Sequence, residues 1–229
     1  MHIDNLVPNI DRRLSSWISV QDQLKKDSSK GQKPTITLSR KFGSEAYPLA
    51  EILKDLLEKK SGDTWTIFDK ALIEKVSQET ALSERLFTSL SMASKALEAL
   101  ASIVPGMASY SDAYKILTRY VVRIAMDGNA IIIGRGGAVL AQKLPNCFHF
   151  RLEAPVEYRV DSIRKRLGCS LDEAKKLVAE REKTSDKFIE SLLNRSMQDP
   201  LIYHAVFNTN KSSLANIAKS ILALMFERG

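Results

Sequence analysis

Three stretches of this chain carry groups able to hold a phosphate. The first is Ser39-Arg40-Lys41-Phe42-Gly43-Ser44. Here two cations precede a glycine that can adopt backbone angles closed to other residues, and a serine that can cap the next helix or contact phosphate. The second is Gly134-Arg135-Gly136-Gly137, one guanidinium among glycines that let backbone approach a ligand closely. A planar guanidinium can meet two phosphate oxygens at once. Each has a plainer reading, an ordinary strand-to-helix turn for the first and a surface arginine in a turn for the second. The pattern G-x-x-x-x-G-K-[ST] is absent, so no lysine stands where it would reach terminal phosphates. Asp69 could accept hydrogen bonds from a base or ribose, and it is also a good N-cap for the segment that follows; capping is the simpler role and both can hold.

The third stretch is basic throughout. It runs from Arg159 through Arg164-Lys165-Arg166 to Lys175, Lys176, Arg181, Lys183 and Lys187, on two helical segments joined near Gly168. Such a pair could form a lid that closes over phosphates and excludes water. It could equally be a solvated face, because Asp161, Asp172, Glu173, Glu180 and Glu182 are interleaved at distances that allow helical ion pairs. For most of these residues the solvated face is the better account. His149 and His204 have no cysteine or carboxylate set around them, so no side-chain metal site is expected.

The elements that must position these groups follow from periodicity. Short β-branched runs alternate with longer helical segments from Thr35 onward, the mark of β-α-β crossovers and a parallel sheet. The expected strands are Thr35 to Ser39, Thr64 to Phe68, Ala130 to Gly134, Cys147 to Leu152 and Leu201 to Asn208. Ala130-Ile131-Ile132-Ile133 is apolar without alternation, as in a central strand covered on both faces. Helices are expected over the segment ending at Leu57, over Asp69 to Glu79, Leu82 to Ala99, Ser111 to Met126 and Leu214 to Phe226. Ahead of them, Ile10, Leu14, Trp17, Ile18 and Leu24 fall near helical spacing after Asn9, a plausible N-cap, and residues 25 to 34 have the composition of a linker. The chain therefore divides into an N-terminal helix and linker, residues 1–33, and an α/β domain, residues 34–229. The helix, residues 9–26, could dock on the domain or mediate association with a second copy or a partner.

Composition fits this outline. At 229 residues with 44% hydrophobic and 27% charged content, the chain can bury a real core. The formal charge of +7 suits either a phosphate-rich ligand or a solvated basic surface. Cys147 and Cys169 are too few for a disulfide framework, which points to a reducing cytoplasm. No stretch approaches the roughly 20 apolar residues of a membrane span, so no membrane role is expected. Nucleic-acid binding rests on net charge alone and is not expected.

Taken in order, Thr35-Ile36-Thr37-Leu38-Ser39-Arg40 with Gly43-Ser44, Phe68-Asp69-Lys70, Gly134-Arg135-Gly136, Ala154-Pro155-Val156-Glu157-Tyr158-Arg159, and Asp199-Pro200 with Asn208-Thr209 resemble the cytidylate kinase-like family of P-loop proteins. The resemblance covers roughly Thr35 to the C-terminus. It implies a three-layer parallel sheet of about five strands flanked by helices, with a helical acceptor-binding region near 69–127 and a lid near 160–195. It also implies ATP with Mg²⁺ as phosphoryl donor and a pyrimidine nucleoside monophosphate such as CMP as acceptor. By position it places Arg40, Lys41, Gly43 and Ser44 at the donor phosphates, and Asp69, Arg135 and Gly136 at the acceptor. Arg40, Arg135 and Arg181 are then the charge-stabilising residues, with Arg159, Lys183 and Lys187 in the lid. Where the family usually continues Gly-Ser-Gly-Gly-Arg, this chain has Gly43-Ser44-Glu45-Ala46-Tyr47. A carboxylate is thus expected where phosphates would sit, and a loop cation is lost. Ser185 stands where a lid arginine is expected.

Overall fold

A computed structural model describes residues 9–15, 18, 32–78, 112–193 and 197–227, with side chains over 9–15, 18, 32–76, 118–183 and 197–227. Five strands form one all-parallel sheet: β1 (Thr35–Arg40), β2 (Thr66–Phe68), β3 (Ala130–Ile133), β4 (Cys147–Glu153) and β5 (Ala205–Asn208), in the order β2-β3-β1-β4-β5. Helices α1 (Ala46–Ser61), α2 (Lys70–Gln78), α3 (Asp112–Asp127), α4 (Gly137–Leu140), α5 (Val156–Leu167), α6 (Leu171–Leu193) and α7 (Leu214–Phe226) flank it. β1 is central because Thr35-Ile36-Thr37-Leu38 pairs with β3 on one side and β4 on the other.

The apolar run of β3 splits by the two-residue period of a strand. Ile131 and Ile133 pack with Leu49, Leu53, Ile217 and Ile221 of α1 and α7. Ala130 and Ile132 pack with Leu72, Ile73, Val121 and Val139 of α2, α3 and α4. Each face of the sheet thus has its own core, which explains the absence of polar alternation. A third cluster, Val160, Ile163, Ala174 and Val178, joins α5 to α6 and carries Phe42 against it.

The N-terminal helix docks on the domain. Asn9 Oδ1 accepts from the backbone amides of Asp11 (2.8 Å) and Arg12 (3.3 Å), satisfying donors of the first turn. Leu14 is buried in the core on the α2/α3 face, with Ile10 and Ile18 packed beside it. The domain itself thus covers Ile10, Leu14 and Ile18.

Differences from the sequence expectations have local causes. The segment expected as a strand from Leu201 begins instead as a 3₁₀ turn, Pro200–Ile202. The Asp199 side chain accepts from Leu201 N at 2.9 Å and Pro200 occupies the first turn, so β5 starts only at Ala205. β2 is three residues long rather than five. Helix α1 continues past Leu57 to Ser61 and stops at Gly62, whose φ of 72° suits a left-handed C-cap. The helix expected over Leu82 to Ala99 lies outside the described residues. No helix among the described residues is long and apolar enough to cross a membrane.

Candidate phosphate-binding site

Strand order reverses between β1 and β4: the chain leaves β1 toward β2 on one side and leaves β4 toward β5 on the other. Ligands of open parallel sheets gather outside the carboxyl ends of strands at such a point. The loop 41–45 stands there. Its backbone is tied down by Lys41 N to Leu152 O (3.2 Å) and Ser44 N to Lys41 O (3.2 Å). Gly43 has a φ of 91°, and a Cβ there would lie 2.7 Å from the carbonyl oxygen and 2.8 Å from the Cβ of Arg159. Only glycine fits between loop and helix α5. Ser44 is fully buried, yet its Oγ has no hydrogen-bond partner among the described residues. A buried hydroxyl left in that state costs on the order of 1–3 kcal/mol, so an oxygen-rich ligand would relieve it.

Arg40, at the end of β1, packs over Gly134 at the end of β3. A Cβ on Gly134 would lie 2.1 Å from Arg40 Nη1 and 2.8 Å from Cζ, so this glycine makes the room in which the guanidinium lies. Burial first, and then the like charge of Arg135, push the Arg40 guanidinium down to about 10, against a smaller opposing pull from Asp69. Among the described residues, Arg40 has no hydrogen-bond or ion-pair partner. Arg135 follows in a left-handed turn, with φ of 74°, 54° and 70° at Gly134, Arg135 and Gly136. It is half-buried and pairs with Glu74 on α2; burial lowers its pKa while Glu74 and Asp69 oppose the shift. A buried guanidinium without a partner among the described residues, close enough to a half-buried one to feel its charge, forms a field that favours an anion.

Asp69 directly follows β2 and caps α2, its Oδ1 accepting from Leu72 N at 3.0 Å. The same carboxylate is gripped by Arg13 of the N-terminal helix. Arg13 Nη1 donates to Oδ2 at 3.2 Å, Nη2 lies 3.1 Å from Oδ1, and Nη2 also donates to Ile67 O at 2.9 Å. The Arg13 guanidinium stands 5.6 Å from the centroid of the Tyr47 ring. Burial, helped by the charges of Asp69 and Glu51 and opposed by Arg13, pushes the Tyr47 phenol up to about 12.

Glu45 does not aim its carboxylate at the arginines. It adopts φ 58°, ψ 32° as the N-cap of α1 and reaches α5, accepting from Tyr158 Oη at 2.8 Å and Ser162 Oγ at 3.2 Å. Burial and this bond hold the Tyr158 phenol up at about 12. The carboxylate that the sequence set among the phosphates is thus turned to the neighbouring helix.

Of the residues expected in a lid, Arg159 is buried and ties parts of the fold together. Its guanidinium donates to Phe42 O (3.2 Å) and Ala154 O (3.0 Å) and pairs with Glu182 at 3.0 Å, which also faces Lys41 at 3.7 Å. Arg181 and Lys183 are exposed on α6; Lys187 is on the same helix, its side chain outside the described set. The structure therefore brings Arg40, Arg135, Asp69 and the 41–45 loop together and leaves Arg181 and Lys183 on an exposed face. No group of His, Cys, Asp and Glu able to hold a metal occurs among the described residues. Sequence reading missed Arg13, Glu74 and Glu182. Arg13 alone had a signal, as a basic residue one turn from Ile10 and beside Leu14 on an otherwise apolar helix face.

This fold defines a class: a parallel α/β protein with the nucleotide-kinase fold. Within that class the chain belongs to the cytidylate kinase-like family, which matches residues 35–211. Cytidylate kinases of Pyrococcus horikoshii and Methanocaldococcus jannaschii are each 32% identical to it, over 95 and 97 residues. Those matches cover 42% of this chain and 48% and 54% of theirs, so the chain spans about half the length of the curated relatives it matches. The crystal structure of an uncharacterised protein from Eubacterium ventriosum shares the fold, with a TM-score of 0.65 and 14% identity over 86% of this chain and 100% of that one.

Proposed function

We propose that the protein is a nucleotide kinase that transfers a phosphoryl group from ATP to a nucleoside monophosphate of the CMP or dCMP kind. The observation that carries this reading is the Arg40 guanidinium, without a partner among the described residues and packed on Gly134, in the same strand-end region as Arg135 and the Ser44 hydroxyl, which also lacks a partner among them. Phosphoryl transfer depends on positioning and on neutralising charge over the moving group. Arg40 supplies an uncommitted cation where charge accumulates, and Arg135, held by Glu74, presents a second to the acceptor phosphate. Gly43 and Gly136 would allow backbone to approach phosphate oxygens, and α5 with α6 would serve as the lid that excludes water.

Among the described residues there is no carboxylate cluster for Mg²⁺, so it would be held by the Ser44 hydroxyl, phosphate oxygens and water, and would neutralise charge on the donor phosphates. A coupled assay across nucleoside monophosphates is the test, with calorimetric titration of ATP and CMP, each with Mg²⁺. Turnover with a pyrimidine monophosphate is expected; well-folded protein with no turnover on any acceptor sinks the enzymatic reading. A second reading is a nucleotide-sensing or partner-binding module on the same fold. It is favoured by Tyr47 in place of a loop cation and by Glu45 in a left-handed conformation. Nucleotide binding without turnover, and turnover gained on Glu45→Gly with Tyr47→Arg, would support it.

A further inference from the structure

The N-terminal helix contributes to the site a residue that none of the strand-end motifs supplies. At the strand ends, three guanidiniums, Arg13, Arg40 and Arg135, meet two carboxylates, Asp69 and Glu74. Glu74 pairs with Arg135, and more loosely with Lys70 at 4.0 Å, while both oxygens of Asp69 are engaged by Arg13. Arg40 is left over as the site's net positive charge. Asp69 lies close enough to act electrostatically on Arg40, Arg135 and Tyr47 alike. Without Arg13 the Asp69 charge would be uncompensated and would weaken the positive field of Arg40 and Arg135.

We propose that Arg13 is a positioning residue of the phosphate cradle: by engaging both oxygens of Asp69 it reserves the positive field of Arg40 and Arg135 for a phosphate-bearing ligand. This rests on the nucleotide-binding reading above and assigns the N-terminal helix a part in it. The helix is built to deliver that residue. Leu14 seats it in the core, Asp11 pairs with Lys75 of α2 at 2.7 Å, and the Ile67 carbonyl and the Tyr47 ring fix the guanidinium from two further sides. Bidentate engagement of a carboxylate is a property of arginine that lysine lacks. Because Asp69 is already satisfied by Arg13 and by the α2 cap, the site should select by anion charge before it selects by hydrogen-bond donors of a base.

The test is calorimetric titration of pyrophosphate, and separately of ATP and CMP with Mg²⁺, into the full chain and the variants Arg13→Ala, Arg13→Lys, Asp69→Asn and Arg13→Ala with Asp69→Asn. Arg13→Ala should weaken pyrophosphate by about tenfold, the scale of one uncompensated charge at short range in a partly buried site. Arg13→Lys should recover only part of that loss. The double variant should return to near the parent affinity, since removing the carboxylate's charge removes the need for Arg13. A helix that acted only as packing would not be rescued by Asp69→Asn, so equal weakening in single and double variants overturns the proposal, as does unchanged binding in Arg13→Ala. Should the double variant fail to fold, Asp69→Asn alone decides: tighter pyrophosphate binding supports the proposal, weaker binding overturns it. Pyrophosphate binding without nucleotide binding would remove the kinase reading and leave this inference standing; binding of neither removes both.

Discussion

Arg40 is costly to keep. Its charge is buried, repelled by Arg135 and unpaired among the described residues, which lowers its proton affinity to about 10. A residue held at such a cost is better explained by a ligand than by the fold, because replacing it should relieve repulsion. Arg40→Ala is accordingly expected to hold or raise Tm while lowering kcat by about 10² to 10³, the effect of losing one charge-stabilising donor. Thermal melts and the coupled assay on one preparation read both; a large fall in Tm would make Arg40 structural. Arg135→Ala should weaken nucleoside monophosphate binding far more than Lys175→Ala, since Arg135 sits at a strand end and Lys175 is exposed on α6. Equal dissociation constants would move the acceptor site elsewhere.

At the scale of elements, the loop 41–45 and α5 behave as one unit. Gly43 admits the Arg159 backbone, Arg159 returns a hydrogen bond to Phe42 O, and Glu45 is held by Tyr158 and Ser162. Arg159→Ala strips a buried cation from Glu182 and from two carbonyls, and should cost about 3 kcal/mol in urea denaturation, the usual scale for breaking a buried pair. A cost near zero would show that Arg159 does not tie the loop to α5 and α6. Glu45→Gly removes a left-handed non-glycine residue, worth about 1 kcal/mol, and also loses two hydrogen bonds of about 1 kcal/mol each, so stability should fall only slightly. This unit also marks how far sequence carries. Gly43, Ser44, Arg40, Asp69 and Arg135 were legible because each follows a β-branched run, where a strand must end and a ligand edge begin. The direction of the Glu45 carboxylate was not legible, since it depends on Tyr158 and Ser162, more than a hundred residues away. Nor was the start of β5, because Asp199-Pro200 imposes a local turn that outweighs the β-branched pattern after it.

Across the whole molecule, the parallel sheet buries polar groups that an antiparallel sheet could leave wet, and His149 is the one most exposed to pH. It faces Thr37 across the β1–β4 pairing, with Thr37 Oγ1 2.8 Å from its Nδ1, and its backbone amide donates to His204 Nδ1 at 3.0 Å. Burial, and then the neighbouring His204, push its pKa down from 6.5 to about 4. Below about 6.5 the unfolded chain takes up a proton at His149 that the folded chain refuses until about pH 4. The unfolded state therefore binds more protons across that window, and stability falls as pH is lowered through it. At 1.36 kcal/mol per unit the full loss is about 3 kcal/mol. Acidification acts on the whole chain, so the observable is a difference between parent and variant. Urea denaturation of the parent and of His149→Gln at pH 7.5, 6.5, 5.5 and 4.5 should give curves that converge on acidification, the variant starting lower because Thr37 loses its partner. Parallel curves would mean that His149 is solvated or already charged in the native sheet, and that the β1–β4 seam, on which the phosphate loop is mounted, is not the acid-sensitive part of the fold.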